Sequence, residues 1–394
     1  MPAPSTEVLL QKAREVSGLS DFGDDWFMGP LAAYASDLDS PHLSEAGTAF
    51  LTRLVQNDLV RRLRIINCLK QNPEIEDTPI PPIVYITGHE RSGTTLLHNL
   101  MSLHGQARFL SRWELMAPTP PPEAANFATD GRQAKVQKSV DALRGSDLEY
   151  MHWVNADEPE ECVWGFMDCT GLLGMAPGMI LPNWYEWLQS NDLTPTFVNY
   201  RKIIQILTWK NPVPRDGFLV LKAPQMATNL DAFSGVFPEA NFVYIHRDPY
   251  RVLNSFCTLI NIVNGPFLQD SGYMAKREQQ GSRSLERMAI LFRHMEQFEV
   301  DHPGRVTNVH YQALLDSPVA QVSGLFRQLN CPVDDELEFK IENFLSHQKA
   351  GGRARPRDEL DDFGYRRQDL LGNPPIAHYL LHYGVGEEIT RRVR

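Results

Sequence analysis

Arg91, Ser92, Thr94 and Thr95 stand close together in a loop, Gly88-His-Glu-Arg-Ser-Gly93, and in the two residues that follow it. An arginine grips two oxygens of a phosphate-like group at once, and hydroxyl donors complete such a cradle. The flanks of the loop show how it is held. Ile83 to Thr87 is a short run of Ile, Val, Tyr and Thr, as a buried strand is, and from Thr94 onward Leu96, Leu97, Leu100 and Leu103 recur at helical spacing. The loop therefore joins a strand to a helix N-terminus, where unpaired amides and the positive end of the helix dipole favour an anion.

Gly88 and Gly93 keep the glycine frame of a P-loop, but Thr94 stands where a nucleoside triphosphatase has the lysine that reaches its β- and γ-phosphates. The cation sits inside the loop instead, as Arg91, and this arrangement does not demand a magnesium ion. A second stretch, Asn241 to Ser255, has the same build: a buried strand, a charged turn, then a helix with Pro249 near its first position. It sets Arg247 at a strand end and Ser255 two helical turns further on.

The run Glu90-Arg-Ser-Gly-Thr-Thr-Leu-Leu97 resembles the 5′-phosphosulfate loop of the sulfotransferases, which use 3′-phosphoadenosine 5′-phosphosulfate (PAPS) as donor. The resemblance extends over about residues 80 to 355. It implies that Gly88, Arg91, Ser92, Gly93, Thr94 and Thr95 hold the 5′ end of PAPS, and that Arg247 and Ser255, with the family's strand-Arg to helix-Ser spacing, hold its 3′-phosphate. It also implies that Lys222, ending the run Phe218-Leu-Val-Leu-Lys222, points at the sulfonate, and that Tyr311 packs on the adenine. Glu114 resembles the general base of the protein-tyrosine branch, with His152 as a second candidate. Many members have a histidine just after the Lys222 strand; here Gln225 stands there, and an amide does not accept a proton at neutral pH. The basic, glycine-rich segment 349–357 falls where the family closes over the cofactor, which would bring Arg353 or Arg355 to the 3′-phosphate with Gly351 and Gly352 allowing the close approach; read without the resemblance, it is a plain solvated linker.

Apolar runs near residues 83, 218, 242 and 306, separated by helical stretches, predict an α/β fold, a parallel sheet flanked by helices on both faces. The resemblance makes this the P-loop NTPase-like sulfotransferase fold, over residues 79–394. Residues 1–78 read as a helical N-terminal extension, with one helix over 5–17, capped by Ser5 or Thr6 and followed by Gly18, and another over 43–70. That extension packs on the main domain, or else forms a homodimer contact or the rim of an acceptor pocket. Residues 123–215 form a helical insertion carrying Trp164, Phe166, Met167, Met175, Met179, Trp184, Tyr185 and Trp187. Its content suits a cap over a hydrophobic or aromatic small-molecule acceptor.

A net charge of −11 argues against a nucleic-acid binder, and the five scattered cysteines form no C-x-x-C pair, so neither a disulfide framework nor a metal site is indicated. The N-terminus lacks a signal-peptide pattern and no apolar run is long enough to span a membrane, which together suggest a cytoplasmic protein. The expected reaction is transfer of the sulfonate of PAPS to a hydroxyl or amine. One rival is a P-loop kinase, which needs a lysine after Gly93 and an acidic magnesium ligand. Another is a non-catalytic PAPS-binding protein, which Gln225 keeps open. No motif marks the acceptor or the oligomeric state.

Overall fold

The computed structural model describes residues 3–146, 149, 155–175, 180–269, 277–333, 335–350 and 360–385. Its strands are β1 (Ile83–Thr87), β2 (Ala107–Phe109), β3 (Phe218–Lys222), β4 (Asn241–His246) and β5 (Val306–His310). They form one parallel sheet in the order β2-β3-β1-β4-β5. Four strands are the apolar runs read from the sequence. The fifth, β2, has only half-buried residues and no strand pattern of its own; pairing with β3, Ala107 opposite Phe218 and Phe109 opposite Val220, creates it.

Helices cover both faces, as the continuous burial of β1 and β3 requires. On one face Val84, Ile86, Val220, Val243 and Ile245 pack against Leu97, Leu100 and Met101 of the Thr94–Met101 helix and against Val322, Leu325 and Phe326 of the Pro318–Gln328 helix. On the other, Tyr85 meets Phe233 at 4.1 Å between ring centroids and Phe242 meets Phe298 of the Arg277–Asp301 helix at 4.8 Å. Each buried aromatic of this kind contributes on the order of 2–3 kcal/mol from area alone. After β1 the chain runs to β2 and β3 on one side, whereas β4 and β5 lie on the other side of β1. Connections thus diverge between β1 and β4, and the carboxyl ends of such a strand pair are where open α/β sheets bind ligands.

The chain divides into two compact units. The sheet belongs to the unit formed by Pro81–Phe109, Val213–Leu259 and Lys276–Arg394; the other unit comprises Met1–Ile80, Leu110–Pro212 and Ile260–Ala275. The N-terminal segment and most of the insertion therefore fall in one unit, a grouping that sequence periodicity did not show. Two arginines of the Glu45–Gln71 helix account for it. Arg62, fully buried, donates to the carbonyls of Phe22 (2.6 Å) and Met167 (3.2 Å), and Arg61 donates to those of Leu115 (3.3 Å), Trp164 and Phe166. Buried guanidinium groups are tolerated only when such acceptors surround them. The N-terminal helix runs Thr6–Ser17, capped by Ser5 and ended by Gly18 in the left-handed region (φ 71°), and Met28–Asp37 is a further helix, without a side-chain cap.

The insertion's largest apolar side chains are core in their own unit. Phe166, Met167 and Trp184 are 0–1% exposed and form the unit's core, with Phe166 edge-on to Tyr200 and Trp184 to Tyr34. Trp164, Tyr185 and Trp187 stay half-buried. The side chain of Met175 and the whole of Met179 lie outside the described residues.

Candidate anion-binding site

The loop after β1 is shaped by three residues with positive φ: Gly88 (145°), Arg91 (72°) and Gly93 (110°). At Gly88 a Cβ would lie 2.8 Å from the carbonyl oxygen of Ile245, so the loop passes against β4 as only glycine permits. Gly93 caps the Thr94–Met101 helix, whose first bond is Leu97 N–H to Gly93 O (3.1 Å). The amides of the first turn consequently lack intrahelical acceptors and face whatever occupies the loop.

Arg91 and Arg247 meet here. Arg247 Nη1 donates to the backbone oxygen of Arg91 (2.8 Å), and Arg91 Nε donates to Ser255 Oγ (3.0 Å) on the Pro249–Asn264 helix. The loop after β1 and the turn after β4 are thus joined at the point the topology singles out. Lys222, 1% exposed at the end of β3, donates to Thr95 Oγ1 (3.2 Å). Arg247 stacks over Tyr311, with its guanidinium carbon 4.3 Å from the ring centroid. Gly88, Arg91, Ser92, Gly93, Thr94, Thr95, Lys222, Arg247, Ser255 and Tyr311 all lie in the unit that holds the sheet.

Two contacts of the loop, those of Glu90 with Arg287 and of His89 with Phe256, carry no mark in the sequence. Glu90, beside Arg91, is gripped by Arg287 of the Arg277–Asp301 helix through both terminal nitrogens, at 2.7 and 2.5 Å. Burial favours the neutral acid, but Arg287 and His89 hold the Glu90 carboxyl below its ordinary range. The fork anchors the loop and neutralises an anion that would otherwise repel the ligand. His89 is buried against Phe256, and burial brings its imidazole down to about 4, so it is uncharged at neutral pH. Arg287 stands in a long amphipathic helix with no motif around it; only the fold pairs it with Glu90.

His246, adjoining Arg247, contacts Asn308 Oδ1 (2.8 Å) and Tyr379 Oη (3.0 Å), and burial lowers it to about 3. It is a neutral packing group. Glu114 lies in the other unit, 1% exposed, where its Oε2 accepts from Ser111 N–H (2.9 Å) and Ser111 Oγ (2.7 Å) in a capping box that starts the Arg112–Met116 helix. The carboxylate expected to act as a base thus has a structural task. His152 lies outside the described residues, as do Gly351, Gly352, Arg353 and Arg355 of the basic segment. Gln225 occupies the short 3-10 turn Pro224–Met226 after β3.

The donor set suits a multiply charged phosphate or sulfonate ligand. Ser92 Oγ is buried without a hydrogen-bond partner among the described residues, and an anion oxygen held by the loop would satisfy it.

Fold and site together define an α/β protein of the P-loop type with a second cationic turn, carrying Arg247, at the neighbouring strand end. The sulfotransferase family model matches residues 82–335, well over half of the sequence, and the chain belongs to that family. It is 25% identical over 256 residues to the omega-hydroxy-beta-dihydromenaquinone-9 sulfotransferase Stf3 of Mycobacterium tuberculosis, a match spanning 63% of this chain and 62% of that protein. The fold is similar to that of sulfotransferase STF9 from Mycobacterium avium, at TM-score 0.85 and 22% identity over 97% of both chains. It is also similar to that of STF1 from Mycobacterium tuberculosis, at TM-score 0.78 and 20% identity over 97% of this chain and 98% of the other.

Proposed function

We propose that this protein transfers the sulfonate group of PAPS to a hydroxyl of a hydrophobic small-molecule acceptor. The observation that carries the reading is the junction of Arg91, Arg247 and Ser255, which sets two anion-binding turns one hydrogen bond apart. A cofactor with a 3′-phosphate and a 5′-phosphosulfate on one ribose needs such a pair. In this reading Arg247 and Ser255 take the 3′-phosphate, Tyr311 flanks the adenine, and the loop from Gly88 to Thr95 holds the 5′ group. An alternative P-loop kinase would want a lysine at Thr94.

The acceptor oxygen attacks sulfur as the bond from sulfur to the 5′-phosphate oxygen breaks, releasing 3′-phosphoadenosine 5′-phosphate. Negative charge grows on the leaving oxygen. Arg91, Lys222 and the hydroxyls of Ser92, Thr94 and Thr95 serve that oxygen, and their pre-set orientation is what lowers the barrier. The acceptor's proton passes to Glu114 or His152. The hydroxylated dihydromenaquinone in the name of the Stf3 relative supports an apolar alcohol as acceptor. Five free thiols support a reducing, cytoplasmic setting, and among the described residues no helix is long and apolar enough to cross a membrane.

Calorimetric titration with 3′-phosphoadenosine 5′-phosphate, beside ATP with magnesium and on Arg247→Ala, tests the cofactor. Binding of the bisphosphate alone, weakened by about tenfold or more in the variant, is expected. Clear ATP binding with none of the bisphosphate would overturn the reading.

A further inference from the structure

Away from the anion site, two histidines of the Pro374–Tyr383 helix, His378 and His382, stand one turn apart on the same side, and Glu296 of the Arg277–Asp301 helix lies beside them. One ring nitrogen of each histidine and one carboxylate oxygen all lie within 4.8 Å of one another. His378 Nδ1 is already 3.0 Å from Glu296 Oε2, and the two imidazoles are nearly parallel, 20° apart with centroids at 5.7 Å.

We propose that His378, His382 and Glu296 form a binding site for a divalent first-row transition cation of the zinc type, which clips the Pro374–Tyr383 helix to the Arg277–Asp301 helix. Two imidazoles and a carboxylate are a borderline-soft nitrogen and oxygen set, which selects zinc, copper or nickel over magnesium or calcium. Bonds of about 2.0–2.2 Å place tetrahedral ligands about 3.3–3.5 Å apart, so the three groups have to draw in by about 1 Å. Side chains as open as His378, 56% exposed, turn to do so without moving backbone. The ion replaces the His378–Glu296 hydrogen bond, whose surface position makes it cheap to lose, and requires both imidazoles neutral. Water fills the remaining position.

The clip has an inward consequence. On the adjoining, inward face of the same helix Tyr379 stacks on Phe292 at 3.6 Å and Tyr383 on His246 at 3.9 Å, His382 meets Tyr383 edge-on at 4.6 Å, and His246 precedes Arg247 in the chain. Aromatic packing holds the helix from inside and the ion holds it from outside.

The test uses untagged, chelator-treated full-length protein titrated with zinc chloride in a calorimeter, with magnesium chloride as the hard-cation control. One zinc ion per chain with low-micromolar affinity and no magnesium binding are expected. His378→Ala and His382→Gln each weaken zinc by at least about tenfold, whereas His302→Ala, whose imidazole pairs with Asp231, leaves it unchanged. Zinc also raises the melting temperature of the wild-type protein and not that of His382→Gln. Absence of zinc binding, or equal binding by the wild type and both ligand variants, overturns the proposal. Melting curves of the metal-free variants that superimpose on the wild type show that folding is not the cause.

Discussion

Tyr311 lies in the space that any side chain at residue 93 would need: a Cβ there would come 2.3 Å from its Cδ2 atom. The tyrosine that follows β5 and the glycine that starts the loop helix are therefore one fitted pair. Arg247 over the same ring brings the end of β4 into the fit.

Gly93→Ala is expected to cost about 1–3 kcal/mol, because it adds a clash and forces alanine to φ 110°. Bisphosphate affinity should fall with it. Gly93→Ala/Tyr311→Ala should recover the clash but not the backbone strain. Urea denaturation of the three proteins measures the split.

Arg287→Met leaves the Glu90 carboxylate buried without its cation, which costs about 3–5 kcal/mol when a buried pair is broken on one side. Adding Glu90→Gln should restore much of that. The Glu90 carboxyl titrates lower in the folded protein than in the unfolded chain, so its contribution is full above the unfolded value and lost as the pH falls through the folded one. Equal stability of Arg287→Met and the wild type at pH 7 would show that the fork does not hold the loop.

Stability should also fall between pH 6.5 and about 4 through His89 and His246. Burial lowers these imidazoles to about 4 and about 3, against roughly 6.5 in the unfolded chain. The unfolded state binds the extra protons, so stability is complete above the unfolded value and declines as pH drops, by about 1.4 kcal/mol per pH unit for each group. His246→Gln should remove about half of this slope. Denaturant midpoints across the window measure it.

Lys222→Ala should lower kcat by about 10²–10³ while bisphosphate affinity stays close to the wild type, because the desulfated product lacks the sulfonyl centre that Lys222 serves. A large loss of bisphosphate affinity with kcat unchanged would assign Lys222 to ground-state binding instead.

Glu114→Ala should cost about 0.5–2 kcal/mol by removing the capping box with Ser111. If the carboxylate also takes the acceptor's proton, Glu114→Gln abolishes turnover at nearly unchanged stability. If Glu114→Gln turns over at the wild-type rate and His152→Ala does not, the proton goes to His152.

The build of the candidate site was legible in the sequence because it depends on local facts. Glycines must stand where φ is positive, as at Gly88 and Gly93; a strand followed by a helix presents free amides; and the spacing of Arg247 and Ser255 survives in any helix. Strands β1, β3 and β4 were legible for the same reason, since each is an almost continuous buried apolar run, whereas β5 buries only Val309 and shows itself by its alternation with the turn that follows. What tertiary structure alone decided depends on partners distant in the chain. The short strand β2 exists only through β3, Glu90 is neutralised by Arg287 from a helix without a motif, Phe166 is core where Arg61 and Arg62 of the Glu45–Gln71 helix take the carbonyls of its segment, and Trp184 where Asp37 takes its amide. Long-range pairing has no periodicity, so residue spacing along the chain carries no trace of it.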